Sequence, residues 1–377
     1  MTGRFVASHS QHPDPIDAVG EVLGDLSERM QGNSDLAVVF ASGTHAAALS
    51  HITASVSQFM GAQTVLGVSV SGVIGGGEEI ESGSAVSVWL GETGPVRPIR
   101  LEAIDGGRTI LGLPEEIPDE AVLLLLADPF SFPAELLLDA LAQSAPAVHV
   151  VGGLASAARA PGGNTLILDG AVHTGGAVGV LLQPGVSTPL VSQGCRPIGT
   201  PWVVTDGAGQ LIGALGGEPA LVRLEAVIQG LSDADRALAA RGLHLGIVAN
   251  EQTESFQRGD FLIRSVLGGD RSTGALAVGD RVQVGQVVQF HVRDAVSASE
   301  DLDHQLAEHD RDPVQGALVF TCTGRGSHMF AEPSHDAWAV RERFGEVATA
   351  GMFCAGELGP VGPRNALHGF TATMLLF

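Results

Sequence analysis

Residues 316–326 read GALVFTCTGRG, an unbroken apolar run followed by small and polar residues that end on Arg325 and Gly326. An apolar run of this length, bounded by turn residues, fits a strand buried on both faces. Downstream, His335 to Phe344 reads as a helix, Ala350 to Ala355 as a second buried strand and Gly369 to Phe377 as a last one. The order strand, helix, strand, strand occurs twice more. One copy runs from the apolar Ala121 to Ala127, through a helix that begins near Pro133 and ends about Gln143. It continues into strands at Val148 to Ser156, Asn164 to Leu168 and Gly176 to Leu182. The other runs from Leu36 to Ala41, through a helix over Thr44 to Met60, to strands at Thr64 to Ser71 and Ala85 to Leu90, with a Gly75-Gly76-Gly77 turn between them. The fold class expected is α/β in the mixed α+β sense. Repeated strand-helix-strand-strand units form layered sheets flanked by helices, in two pseudo-related halves.

The segment between the second and third copies reads differently. Trp202 to Leu215, split at Asp206-Gly207-Ala208-Gly209, is expected to be a hairpin, and Pro219 to Gly230 a helix ending at its glycine. Leu243 to Ala249, Asp260 to Leu267, Ala275 to Ala277 and Gln286 to Arg293 read as strands, and Ser297 to His309 as an acidic helix. A change to charged, helical sequence near Gly230 to Gly242 marks a domain boundary.

The chain has 377 residues, 45% of them apolar and 16% charged, so it can bury a large core. Its 20 basic residues, all Arg, face 42 acidic ones, for a net charge of −22. That balance argues against nucleic acid and anionic membranes as partners, because both are held by surplus cations. The polar N-terminus, broken by Pro13 and Pro15, is not a signal peptide, and the apolar runs fall short of a membrane span. Three cysteines with no CxxC spacing suggest free thiols, and hence a cytoplasmic location.

Several chemistries are missing. There is no P-loop, no GxGxxG after a strand, no HExxH and no CxxCH. Gly67-Val68-Ser69-Val70-Ser71 approaches the nucleophile elbow GxSxG, but Ser71 stands where glycine is needed, and the run is read as a buried strand. His149, His173 and His291 lie in or beside strand-like runs, where a hydrogen-bonded core or edge role is expected.

The candidate ligand-binding residues cluster at the carboxyl ends of the last buried strands, where α/β sheets tend to hold ligands. They are Cys322, Arg325, Cys354, Glu357 and His368, with Gly152 and Gly153 offering close backbone approach. A guanidinium and a carboxylate at one cleft edge can grip the two ends of an amino-acid-like zwitterion. Two alternatives stay open: Arg325 and Glu357 pair with each other, or a thiol acts as nucleophile with His328, His335 or His368 as its base. Cys322, His328, His335 and Cys354 match no standard zinc spacing, and no metal site is expected.

The stretches GALVFTCTGRG (316–326), GMFCAGELGPVG (351–362) and ALHGFTATMLLF (366–377) resemble the C-terminal half of the FIST family. VVGGLAS (150–156), GGAVGVLL (175–182) and residues 194–221 resemble its FIST N half and the start of FIST C. The resemblance implies a FIST N-like domain over 30–225 and a FIST C-like domain over 226–377. It implies a small-ligand sensory protein of intracellular signal transduction rather than an enzyme, its ligand an amino acid or related metabolite. Haem, as in a nitric oxide sensor, is the alternative cofactor, and a thiol-dependent enzyme is a further alternative. With no kinase, receiver or cyclase module in the sequence, output is expected to pass through a separate signalling protein.

Overall fold

Three of the chain's sheets share one strand pattern, and each borrows a hairpin from another. The computed structural model describes residues 5–30, 32–249, 256, 259–309 and 313–377. The first unit comprises β1 (Phe5–Ser10), α1 (Pro15–Arg29), β2 (Leu36–Ser42), α2 (Leu49–Met60, entered through a 3-10 turn Gly43–Ala48) and β3 (Thr64–Val70). Its hairpin, β4 (Val73–Gly75) and β5 (Glu78–Ile80), then leads to β6 (Ala85–Gly91). The second comprises β7 (Arg97–Ile104), β8 (Thr109–Leu111), β9 (Val122–Ala127), α3 (Ala134–Ser144) and β10 (His149–Leu154). It closes with the hairpin β11 (Leu166–Leu168) and β12 (Ala171–His173), then β13 (Ala177–Leu182).

The third unit opens with β14 (Thr188–Gln193) and is then interrupted. The insertion holds β15 (Cys195–Ala208), β16 (Leu211–Leu215), β17 (Glu218–Pro219), α4 (Ala220–Gly230), α5 (Asp233–Arg241), β18 (Leu243–Val248), β19 (Phe261–Asp270), β20 (Ala275–Val278) and β21 (Val287–Arg293). The unit resumes with α6 (Ala295–Glu308), β22 (Gly316–Cys322), α7 (His335–Phe344) and β23 (Ala348–Cys354). The hairpin β24 (Glu357–Val361) and β25 (Arg364–His368) and the strand β26 (Thr371–Leu376) complete it.

In each unit the two strands flanking the helix lie parallel: β2 with β3, β9 with β10, β22 with β23. The unit's last strand runs antiparallel beside the first of these. The intervening hairpin leaves home. β4–β5 extends the third unit's sheet beside β23, β11–β12 extends the first beside β3, and β24–β25 extends the second beside β10. The exchange is cyclic, so no unit's sheet is complete without another unit.

Alternation within the apolar strands shows why they read as unbroken runs. Leu36, Val38 and Phe40 of β2, Leu124 and Leu126 of β9, and Leu318 and Phe320 of β22 meet in one core shared by the three sheets. The intervening residues face the helices: Val39 packs with α1 and α2, Leu125 with α3, and Val319 with α6 and α7. Both faces are covered, so both are apolar. Phe40 and Phe320 meet edge to face at 6.2 Å between centroids, and the buried Trp89 donates its indole N–H to the Ala348 carbonyl at 3.1 Å.

The insertion closes on itself. Its strands run β15-β21-β18-β19-β20-β16, all antiparallel, and β16 also pairs with β15, which makes a six-stranded barrel around Val204, Ile212, Leu245, Phe290 and their neighbours. The hairpin expected over Trp202 to Leu215 is present, but its turn falls at Gly209 and Gln210. Two register shifts let β15 run through Asp206 and Gly207, and Gly209 takes the positive φ (60°) the turn needs. The junction expected at 225/226 falls within α4, beside the barrel. The mixed α+β architecture of layered sheets and flanking helices is the one read from the sequence.

Candidate functional site

Two regions concentrate polar chemistry at the carboxyl ends of the parallel strand pairs. The first contains the residues singled out in the sequence. Cys322 and Cys354 are direct partners across β22 and β23. Glu357 on β24 is opposite Gly153 on one side and His368 on the other, and Gly152 is opposite Leu358. The structure thus gathers all these residues around the end of the third sheet, in close packing. A Cβ on Gly153 would collide with the Cys354 sulphur, and Gly152 holds a φ of +143° against the Leu125 carbonyl, so both glycines serve strand approach.

Arg325 does not pair with Glu357. It lies fully buried in a bidentate bond with Asp336, at 2.8 and 2.7 Å, because the first turn of α7 brings that carboxylate beneath the β22 turn. Asp336 also accepts from the Thr321 hydroxyl at 2.6 Å and faces the His335 ring at 2.9 Å. Burial would raise its pKa, but Arg325 and these hydrogen bonds outweigh it and hold the carboxyl well below the usual range. Glu79, on β5 of the hairpin that the first unit lends to the third, completes the group. Its Oε1 accepts the N–H groups of Asp336 (2.8 Å) and Ala337 (3.0 Å) at the start of α7, while Oε2 is buried without a partner. Burial, then the neighbouring Asp336 charge, raise its pKa to about 7.

The rest of this region is electrically quiet. Burial raises the Glu357 carboxyl well above its ordinary range, and lowers His368 to about 4, so that imidazole is neutral at pH 7. Burial also raises the thiols of Cys322 and Cys354, and pushes Cys195 up to about 12. A nucleophilic cysteine needs the opposite shift. Of the proposed bases, His335 bonds Ser299 and Asp336 and His368 bonds the Gly359 carbonyl, while His328 is exposed. Among the described residues no group of three or more His, Cys, Asp and Glu side chains can hold a metal ion. His291, read as a hydrogen-bonded core residue, bonds the Gln289 carbonyl at 3.0 Å.

The second region is a cleft of about 640 Å³ at the carboxyl ends of β2 and β3. Its floor is the end of β3, with Ser69 and Ser71. Gly43, Ala46 and Ala47 of the turn after β2 keep one wall shallow, and Ser156, Arg159 and Thr165, in the loop between β10 and β11, form the other. Position and volume both suit a small-molecule site. Ser71 and Ser156 tie the cleft to the rest of the molecule. Ser156 Oγ accepts the Ser71 N–H at 2.9 Å and donates to the carbonyl of Phe353, the residue before Cys354. One hydroxyl therefore touches all three units. Among the cleft residues only Ser69 and Ser71 drew attention in the sequence, as a near-miss to the nucleophile elbow. Arg159, in the small-residue stretch ASAARAPGG (155–163), gave no local signal.

The layered core thus places a cleft at the carboxyl ends of two parallel strands, where α/β sheets tend to hold ligands. Residues 35–218 match the FIST N domain and residues 220–360 the FIST C domain, and the chain belongs to the FIST family. FIST domains are small-ligand sensory domains of signalling proteins. The chain is 40% identical over 375 residues to the uncharacterized protein Rv0628c of Mycobacterium tuberculosis, covering 98% of both. It is also 40% identical over 371 residues to the uncharacterized protein Mb0898c of Mycobacterium bovis, covering 97% of this chain and 96% of that one. Among the described residues no helix is long and apolar enough to cross a membrane.

Proposed function

We propose that this protein is a cytoplasmic sensor that binds an amino acid or related metabolite in the β2–β3 cleft and passes the binding event to a separate signalling protein. The observation that carries the reading is the cleft itself. It has ligand-site volume, hydroxyl-bearing walls and, through Ser156, a contact with each of the three units. Ligand bound against Ser71 and Ser156 bears on the backbone just ahead of Cys354. The close-packed group of Cys322, Arg325, Cys354, Glu357 and His368, with Gly152 and Gly153, then acts as the rigid backing that turns local contact into a shift of β23. The three unpaired cysteines suit a reducing compartment. No aromatic or histidine side chain lines the cleft, which favours a small polar ligand over haem there.

Thermal unfolding of the full chain against a panel of the amino acids tests the proposal. A ligand at a hundredfold excess over its dissociation constant adds about 2.7 kcal/mol, a readily measured rise in Tm. A flat response across the panel, together with no small molecule in native mass spectra, would overturn it.

A further inference from the structure

The cleft's lining has a charge bias at odds with the rest of the molecule. The chain carries 42 acidic residues against 20 basic. Yet none of the described residues lining this cleft is acidic, and their one charged side chain is Arg159. Among the described residues that guanidinium has neither an ion pair nor a hydrogen bond, although arginines such as Arg264, Arg325 and Arg196 are each matched to carboxylates.

The hydroxyls add to the same polarity. Ser69 Oγ accepts the Thr165 N–H at 2.8 Å, which leaves its own proton without an acceptor among the described residues. The Thr165 hydroxyl has no hydrogen bond there either. Ser156 has given its single proton to Phe353, so among the described residues the Ser71 hydroxyl, 3.2 Å away, has that oxygen as its one acceptor. Among the described residues lining the cleft there is therefore a cation, with the unmet O–H donors of Ser69 and Thr165, and no carboxylate. Unmet donors beside an unpaired guanidinium are complementary to an oxyanion, which accepts in every direction and suits the planar fork of arginine.

We infer that the cleft selects small molecules bearing an oxyanion, and that Arg159 is its specificity-determining residue. The inference rests on the reading of this cleft as the sensory site. The shared chemistry fits a carboxylate or a phosphate, and the experiment separates them.

Isothermal titration of the full chain is done with L-alanine, L-glutamate, succinate and inorganic phosphate, alongside alaninamide and succinamide, in which each carboxylate is replaced by an uncharged amide. The expected result is binding of at least one anion, with its amide at least tenfold weaker. R159A is expected to weaken that anion at least tenfold and R159K less so, while R236A, on the barrel's α5, leaves it unchanged. Arg159 is exposed and unpaired, so R159A is expected to keep the wild-type Tm. Whether the responding anion is a carboxylate or phosphate identifies the head group. Equal affinity for anion and amide, or an R159A protein with wild-type affinity, overturns the inference. In that case loss of binding on Ser71→Val would leave the sensory cleft standing. No binding by any compound overturns the inference, and the amino-acid panel with native mass spectrometry then decides the sensory reading.

Discussion

Glu79 lies in a buried contact between units, and burial with the Asp336 charge raises its pKa to about 7. A carboxyl with a raised folded-state pKa holds its proton more tightly folded than unfolded. The stability this gives is full below about 4.5 and is lost as pH rises toward about 7. Glu79→Gln keeps an oxygen for the Asp336 and Ala337 N–H groups but cannot ionise. Its Tm is expected to match the wild type near pH 5 and to exceed it at pH 8, and parallel wild-type and variant profiles between those values would refute this. The sequence set Arg325 beside Glu357, because both follow buried strands, either to grip a ligand together or to pair with each other. It could not show that α7 starts beneath the turn with Asp336, since that depends on how the helix docks. Nor does Glu78-Glu79 beside three glycines look different from a solvated turn.

At the scale of elements, the fold depends on how closely strands of different units approach. Gly153 on β10 lies where any side chain would strike the Cys354 sulphur of β23. Gly153→Ala is expected to cost about 1–3 kcal/mol, the usual range for overpacking. Removing the sulphur with Cys354→Ala gives that methyl group room, so the double variant should be more stable than the two single losses added together. Strict additivity in urea unfolding would mean the two strands do not press on each other. The buried strands and the helices between them were legible because coverage of both faces leaves a continuous apolar run. The hairpins were harder to read. β4, β5, β11 and β12 are three residues each, and nothing within them names the sheet they will join.

For the molecule as a whole, the barrel is an attachment whose ends meet. Cys195 and Arg293 are partners in the ladder between β15 and β21, and the Asp294 N–H reaches the Gly194 carbonyl at 3.3 Å. Replacing residues 196–292 with a short Gly-Ser link should leave the three exchanged sheets folded, with a single cooperative thermal transition and retained ligand binding in the cleft. Loss of the transition would show that the barrel is required for folding. Its packing on the tail, where the Phe370 ring lies 4.6 Å from His244, is lost in such a variant.

Cyclic hairpin donation has a consequence for ancestry. A polypeptide with a single unit would possess a vacancy in its own sheet and a spare β-ribbon to give away. Three identical short chains could satisfy one another and close the same ring as a homotrimer. Fusing them into one gene costs no contact and frees each copy to diverge: one keeps an open hollow, another fills the corresponding place with an arginine–aspartate lock, and that same copy tolerates a whole barrel between two of its strands.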